Sequence, residues 1–195
     1  MKEQIKIRKM AGIGILLALS FIFGFIGNSV AIGPVSINLT LIPIALAAII
    51  YGPIEGMIMG LLSGLLVMLS PSTAIFISHN VIGTALIVFS KTALAGLIAG
   101  LTFRLLRKKN FAFAIILSSI LIPIINTSIF GLGCYVFFYN LMFSSVSGNT
   151  FIYFCTVVVG FNFIFELAVN ALLSPTLVGV IKTVTKNYNI GSQIN

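Results

Sequence analysis

The chain has 195 residues, of which 59% are hydrophobic and only 7% are charged. Soluble domains are about a quarter charged, so this composition excludes an ordinary soluble protein and indicates an integral membrane protein. The net charge of +8 could suggest a nucleic-acid partner. The basic residues cluster at the ends of apolar runs, however, where they orient a membrane protein and contact anionic lipid. We therefore expect membrane lipid, and no nucleic acid, as a partner.

A template of about 20 apolar residues per membrane span divides the sequence into six predicted helices. The predicted class is all-α: a polytopic bundle of six transmembrane helices in a single domain, residues 1–195. In chain order the predicted helices cover 10–26, 38–51, 54–69, 81–106, 111–138 and 151–181.

The charged residues support an even number of spans. Three loops, 27–37, 70–80 and 139–150, contain no Lys, Arg, Asp or Glu. With six spans these loops share one side, and all the basic clusters lie on the other side, which the positive-inside rule makes cytoplasmic. Both termini are then predicted to be cytoplasmic. The basic clusters are Lys2, Lys6, Arg8 and Lys9; Arg104, Arg107, Lys108 and Lys109; and Lys182 and Lys186.

Small residues at four-residue spacing recur in three of the predicted helices. Gly52, Gly56, Gly60 and Gly64 follow this spacing through the third helix, and the fourth contains a similar pair. Such spacing lets helix backbones approach closely in lipid, and here it favours packing within the chain. The first predicted helix carries a similar face, which we interpret as an exterior docking strip for another membrane subunit. That strip consists of Ala11, Gly14 and Ala18.

Lys91 lies roughly ten residues along the fourth predicted helix, or roughly 15 Å from its outer end. This depth predicts that its side chain faces the interior of the bundle, since outward snorkelling is difficult from there. Two interpretations remain open: Lys91 pairs with Glu166, or it receives an anionic group of a substrate from outside.

A polar stripe crosses the sixth predicted helix. Asn162, Glu166 and Asn170 are spaced i, i+4 and i+8, which places them on one helix face. A carboxylate inside a bilayer costs about 2.5–3.5 kcal/mol on insertion scales, so it usually faces a partner, a cavity or a substrate. Glu166 is therefore a candidate for the floor of a substrate cavity.

Further polar residues converge on the same region. Asn126 follows Pro123 in the fifth helix, where it either contacts substrate or satisfies backbone groups freed by the proline. His79 and Asn80 lie at the outer mouth of the fourth helix, as capping residues or as part of the site, and Asn38 ends a candidate lid. Convergent polar groups in an apolar bundle are typical of a small-molecule site. The predicted substrate-binding residues are Lys91, Asn126, Asn162, Glu166, Asn170, His79, Asn80 and Asn38.

Enzymatic functions find little support in the sequence. No Walker A loop is present, and Ser63-Gly64 lacks the Gly-x-Ser-Gly pattern of a rhomboid-like protease. With one histidine and no paired ligand spacing, we expect no metal or other cofactor. Cys134 and Cys155 lie in apolar segments and are interpreted as small packing residues.

Several stretches together resemble the S component, the substrate-binding membrane subunit, of energy-coupling factor (ECF) transporters. They are residues 42–53, IPIALAAIIYGP, with the glycine ladder that follows; 91–100, KTALAGLIAG, with its basic turn; and 123–127, PIINT. The likeness covers nearly the whole chain. It implies a subunit of the bacterial cytoplasmic membrane that captures a vitamin from outside and releases it inside. The implied partners are a transmembrane coupling subunit, through a counterpart of the family's Ala-xxx-Ala motif at Gly14–Ala18, and two ATPase subunits.

The sequence is most similar to pantothenate-type S components. A lysine for a carboxylate and asparagines for amides suit pantothenate, while folate or another small vitamin stays open. Thiamine is less expected, because the chain has no Trp for the tryptophan-rich pocket that thiamine members use. Two alternatives fall outside the family: a stand-alone carrier in which Lys91 and Glu166 relay protons or ions, and a membrane scaffold that transports nothing.

Overall fold

A computed structural model describes residues 2–29, 31–32, 35–143, 160, 162–173 and 179. Helices account for nearly all of these residues, and one short antiparallel hairpin joins the first two helices. The elements in chain order are α1 (Lys2–Ser29), β1 (Ala31–Ile32), β2 (Val35–Ser36), α2 (Leu41–Ile50), α3 (Pro53–Met68), α4 (Pro71–His79), α5 (Val81–Leu106), α6 (Phe111–Phe137), α7 (Tyr139–Phe143) and α8 (Asn162–Leu173).

The helix bounds confirm most of the sequence pattern and correct it at α1 and in three predicted loops. The predicted helix 81–106 is α5 itself, whereas α1 extends further than predicted in both directions. The predicted loop 70–80 was wrong, because it contains α4, which has Pro71 in its first turn, where proline favours a helix. The predicted loops 27–37 and 139–150 contain the hairpin and α7. Of the sixth predicted helix, α8 lies within the described residues.

Among the residues that the structure describes, three helices are long and apolar enough to cross a membrane: Lys9–Ser29, α5 and α6. The pair α3 and α4 makes a fourth span if it counts as one, although the two helices meet at a bend of 83°. The shorter helices α2 and α8 are also apolar. The protein is therefore an all-helical membrane protein with several spans, and the count of six stays a prediction.

The closest helix packing is between α3 and α5, which confirms the predicted role of their glycines. A Cβ added to Gly56 would lie 2.7 Å from the carbonyl oxygen of Gly96 and 2.6 Å from the Cβ of Ala48. A Cβ added to Gly60 would lie 2.6 Å from the carbonyl carbon of Thr92. Only hydrogen side chains permit this approach, so the glycine spacing serves packing within the chain.

Helix α2 forms the centre of the core. Nearly all its residues are buried, and it packs against α1, α3, α5 and α6. Its alanines bring these neighbours close. At its end Gly52 adopts a φ of +119°, which favours glycine, and Pro53 then begins α3.

Two polar contacts join α1 to α3. Lys9 Nζ donates to Glu55 Oε1 at 2.8 Å near the starts of these helices, and the buried hydroxyls of Ser20 and Ser63 lie 3.3 Å apart near their middles. The two contacts identify the side of α1 that packs against the bundle.

Candidate functional site

A cavity of about 690 Å³, counting space open to solvent, lies at the end of the bundle away from the Lys9–Glu55 ion pair. Its wall is built by the last turns of α1, the segment 36–40, the bend between α3 and α4, the first half of α5 and the end of α6. The bend opens this space, because α4 turns away from the axis of α3. The cavity therefore depends on a helix break that a straight span would not contain.

Lys91 lines this cavity from α5 and is only 8% exposed. Its Nζ lies 4.9 Å from the centre of the Phe130 ring, a cation–π contact. Phe76 contacts Phe130 and Phe138 edge to face, with ring centres 5.9 and 5.2 Å apart. Within the described part of the chain, Lys9–Glu55 is the one salt bridge, so no ion pair joins Lys91 directly to Glu166. The Lys91 ammonium thus faces the cavity beside an aromatic surface.

Hydroxyl groups form another part of the wall. Ser36 Oγ donates to Asn28 Oδ1 at 2.9 Å and lies 2.8 Å from Ser72 Oγ. Ser70 extends this row of hydrogen-bonded hydroxyl groups, because its Oγ lies 3.0 Å from both Ser72 Oγ and Thr73 Oγ1. These contacts link the hairpin to the bend between α3 and α4. They also give the cavity donors and acceptors suited to amide or hydroxyl groups.

The polar face predicted for α8 is buried. Asn162, Glu166 and Asn170 are at most 5% exposed, whereas Ile164 and Leu172 on the same helix are exposed. Asn170 Nδ2 donates to the backbone carbonyl of Glu166 at 2.9 Å. The stripe therefore faces the bundle, as its spacing predicts.

Glu166 forms a hydrogen bond with a residue of the cavity wall. Its Oε1 accepts a hydrogen bond of 3.0 Å from the backbone N–H of Asn38, a residue that lines the cavity. The Asn126 side chain approaches the same carboxylate from α6, and the charge of Lys91 acts on it at longer range. Glu166 itself is not among the described residues lining the cavity. The structure thus brings Asn38, Lys91, Asn126 and Glu166 into one region.

His79 and Asn80 lie elsewhere. His79 is exposed at the end of α4, with Nδ1 3.1 Å from the carbonyl oxygen of Ile75. Asn80 is the N-cap of α5, since its Oδ1 accepts from the N–H of Gly83 at 2.9 Å. Neither residue is part of the described cavity wall. Their geometry fits the capping interpretation that the sequence left open.

The three small residues of the predicted docking strip, Ala11, Gly14 and Ala18, are exposed on α1. A Cβ added to Gly14 would meet no atom within 4 Å, whereas one added to Gly12 would collide with the Tyr51 side chain. The two glycines therefore face in different directions. The strip is a smooth surface along the outside of α1.

The sequence interpretation missed the hydroxyl and aromatic parts of the wall. The run Ser70-Pro71-Ser72-Thr73, in a segment without charge, was a usable signal for the hydroxyls. Phe76, Phe130 and Phe138 had no such signal, because phenylalanine is common throughout this chain. Cys134 packs in the apolar cluster behind them, as predicted, and Cys155 lies outside the described residues. No group of three His, Cys, Asp or Glu side chains that could hold a metal occurs among the residues described.

A helical membrane protein with a cavity at one end of its bundle, lined by apolar side chains and a few polar ones, belongs to the class of membrane-embedded binding proteins. The family model of the substrate-specific component of ECF transporters matches residues 8–178, so the chain belongs to that family. Neither a curated protein nor a solved structure matched the chain. The protein is thus a transport subunit that binds a small-molecule substrate for an ECF transporter, and not an enzyme.

Proposed function

We propose that this subunit captures a small vitamin with a carboxylate group, pantothenate before folate or other vitamins, and delivers it for ATP-driven import. Membership of the substrate-specific component family supports the general role. The choice of ligand rests on the chemistry of the cavity.

The observation that carries this proposal is the position of Lys91. A buried cation is unfavourable unless it is paired, and no carboxylate in the described chain forms an ion pair with this one. A ligand carboxylate would supply the missing partner through a charge-assisted hydrogen bond. Lys91 thereby favours an organic anion over a neutral or cationic vitamin.

Other parts of the wall match the rest of pantothenate. That molecule carries an amide, two hydroxyls and a pair of methyl groups as well as its carboxylate. The hydroxyls of Ser36, Ser70 and Ser72 suit the polar groups, and the rings of Phe76 and Phe130 suit the methyl groups. We include Asn38 with this wall, and the buried residues Asn126, Asn162, Glu166 and Asn170 as the side of the site that supports it.

We propose a topology of six spans with both termini in the cytoplasm of a bacterium. In that orientation the Lys9–Glu55 end is cytoplasmic, and the cavity opens toward the outside. Substrate capture from the exterior follows from this orientation. Import would then require docking, through the exposed strip on α1, to a coupling subunit that carries two ATPases.

The most direct test is mass spectrometry of the small molecule retained by the gently purified protein. We expect pantothenate, and we expect radiolabelled pantothenate to be displaced by unlabelled pantothenate and not by an equal excess of thiamine. Uptake in proteoliposomes should require the coupling subunit, its ATPases and ATP. A retained cation, or uptake by the protein alone, would contradict the proposal.

A further inference from the structure

One backbone amide connects α8 to the cavity wall across 128 residues of sequence. The N–H of Asn38 donates to Glu166 Oε1 at 3.0 Å, and Glu166 is only 5% exposed. A hydrogen bond between a buried carboxylate and a backbone N–H is among the stronger ones in proteins. This bond therefore holds the segment that contains Asn38.

The held segment is buried at Ile37 and Thr40, and its carbonyl groups also accept hydrogen bonds from the start of α2. Residues 37–40 lie between the hairpin and α2 and belong to no regular element. Thr40 Oγ1 donates to Asn38 Oδ1 at 2.6 Å, and the N–H of Leu41 approaches Asn38 O at 3.5 Å. Asn38 thus takes part in several hydrogen bonds within the segment. Its own N–H donates to Glu166, which lies outside the segment. Ser36, Ile37, Asn38 and Thr40 all line the cavity.

The charge of Glu166 is not used in a direct ion pair. Lys91 forms no salt bridge with it, and its second oxygen, Oε2, is buried without a hydrogen-bond partner. The Asn126 side chain approaches the carboxylate as well, and the bond from the Asn38 N–H requires an acceptor oxygen at the position of Oε1. A glutamine side chain places a carbonyl oxygen at the same distance from the backbone.

We propose that Glu166 is a positioning residue, which fixes the 36–40 wall of the ligand cavity through the Asn38 amide and does not touch the ligand. This role rests on the proposed function for its effect on ligand affinity. The anchoring of the segment is a separate property that can be measured without any ligand.

Two substitutions separate the acceptor from the charge. Glu166→Gln removes the charge and keeps an acceptor oxygen, while Glu166→Met has a similar length and offers no comparable acceptor. Glu55→Gln is the matched control, because it neutralises an acid at the opposite end of the bundle. Each purified variant is examined by hydrogen exchange of peptides covering 36–40 without ligand, and by binding of radiolabelled pantothenate.

We expect exchange at 36–40 to be faster by about tenfold or more in Glu166→Met and close to wild type in Glu166→Gln. Exchange in α3 and α5 should not change, which separates loss of this anchor from general unfolding. The dissociation constant for pantothenate should rise by about tenfold or more in Glu166→Met and by less than about threefold in Glu166→Gln. Glu55→Gln should resemble wild type in both measurements.

Equal loss in Glu166→Gln and Glu166→Met would overturn the inference, because the charge would then be the required property. Unchanged exchange in Glu166→Met would overturn it as well. If Glu166→Met does not fold, Glu166→Asp serves instead: it keeps the charge and withdraws the acceptor, so faster exchange at 36–40 is expected. If wild-type protein binds no pantothenate, the choice of ligand fails, and the exchange data alone decide whether Glu166 anchors the wall.

Discussion

The two charged side chains buried among the described residues, Lys91 and Glu166, have different surroundings. Lys91 faces open space beside the Phe130 ring, whereas one oxygen of Glu166 is bonded to a backbone amide. A buried cation beside a cavity favours the binding of an anion in that cavity. A carboxylate that already accepts a hydrogen bond from the protein has part of the cost of its burial offset. The structure thus favours Lys91 over Glu166 as the residue that binds ligand directly.

Replacement of Lys91 by Met should weaken pantothenate binding by tenfold or more, since a lost charge-assisted hydrogen bond is worth about 1.5–3 kcal/mol. The thermal stability should stay equal or rise, because an unpaired buried cation is removed. Titration of labelled ligand and thermal unfolding measure the two effects. Ser90→Ala is the control, since the Ser90 hydroxyl donates to the backbone of its own helix. Unchanged affinity in Lys91→Met would refute the assignment of Lys91 to the ligand carboxylate.

Asn80 provides a test of the helix cap. Asn80→Ala should lower the free energy of unfolding by about 0.5–2 kcal/mol, because the Gly83 N–H loses its acceptor. Asn80→Asp should retain the cap and most of the stability. Asn110→Ala, at the matching cap of α6, should cause a similar loss. Ligand affinity should not change in these variants, and a large change in Asn80→Asp would show that Asn80 belongs to the binding site after all.

At the scale of elements, α3 and α5 form the closest contact between helices in the bundle. Glycines on both helices meet the backbone of the other helix, so the interface has little room for a methyl group. In lipid such close approach replaces the hydrophobic effect as the source of helix association. The stability of the protein should therefore be sensitive to these glycines.

Gly56→Ala should lower the stability by about 1–3 kcal/mol, as expected when a tightly packed contact is overfilled. The new Cβ would meet backbone at Gly96 and the Ala48 side chain, neither of which can rotate away. Gly131→Ala on α6 is the matched control, because a Cβ there meets no atom within 4 Å. Thermal unfolding in one detergent compares the two. Equal stability of both variants would show that the α3–α5 contact adapts to added volume.

For the whole molecule, the important feature is that one side of α1 packs against the bundle and the other side is exposed. Its inner side is joined to α3 through Lys9–Glu55 and Ser20–Ser63, which leaves Ala11, Gly14 and Ala18 facing outward. The cavity contacts α1 only near its end, at Gly24 and Asn28. The proposed docking strip and the cavity lie on different parts of this helix, so we expect docking and ligand binding to be separable by mutation.

Ala18→Leu or Gly14→Leu should reduce copurification with the coupling subunit and leave the pantothenate affinity unchanged. A leucine on a face that needs close approach keeps the two helices apart. Ala168→Leu, at an exposed alanine of α8, is the control for added bulk on the membrane surface. Loss of both complex and ligand binding in the α1 variants would argue against this strip as a separate docking surface.

The sequence alone determined the membrane class, the bounds of α5, the buried face of α8 and the packing role of the α3 and α5 glycines. These properties follow from composition and local periodicity, which depend on near neighbours in the chain. The break at α3–α4, the hydroxyl chain from Ser36 to Thr73 and the bond from Asn38 to Glu166 were decided only by the tertiary structure. Each of them joins residues that are brought together by packing of separate helices, and no spacing within one helix encodes such a meeting. The sequence accordingly predicted a function for Glu166, and the bond to Asn38 supports our proposal that it acts through the cavity wall.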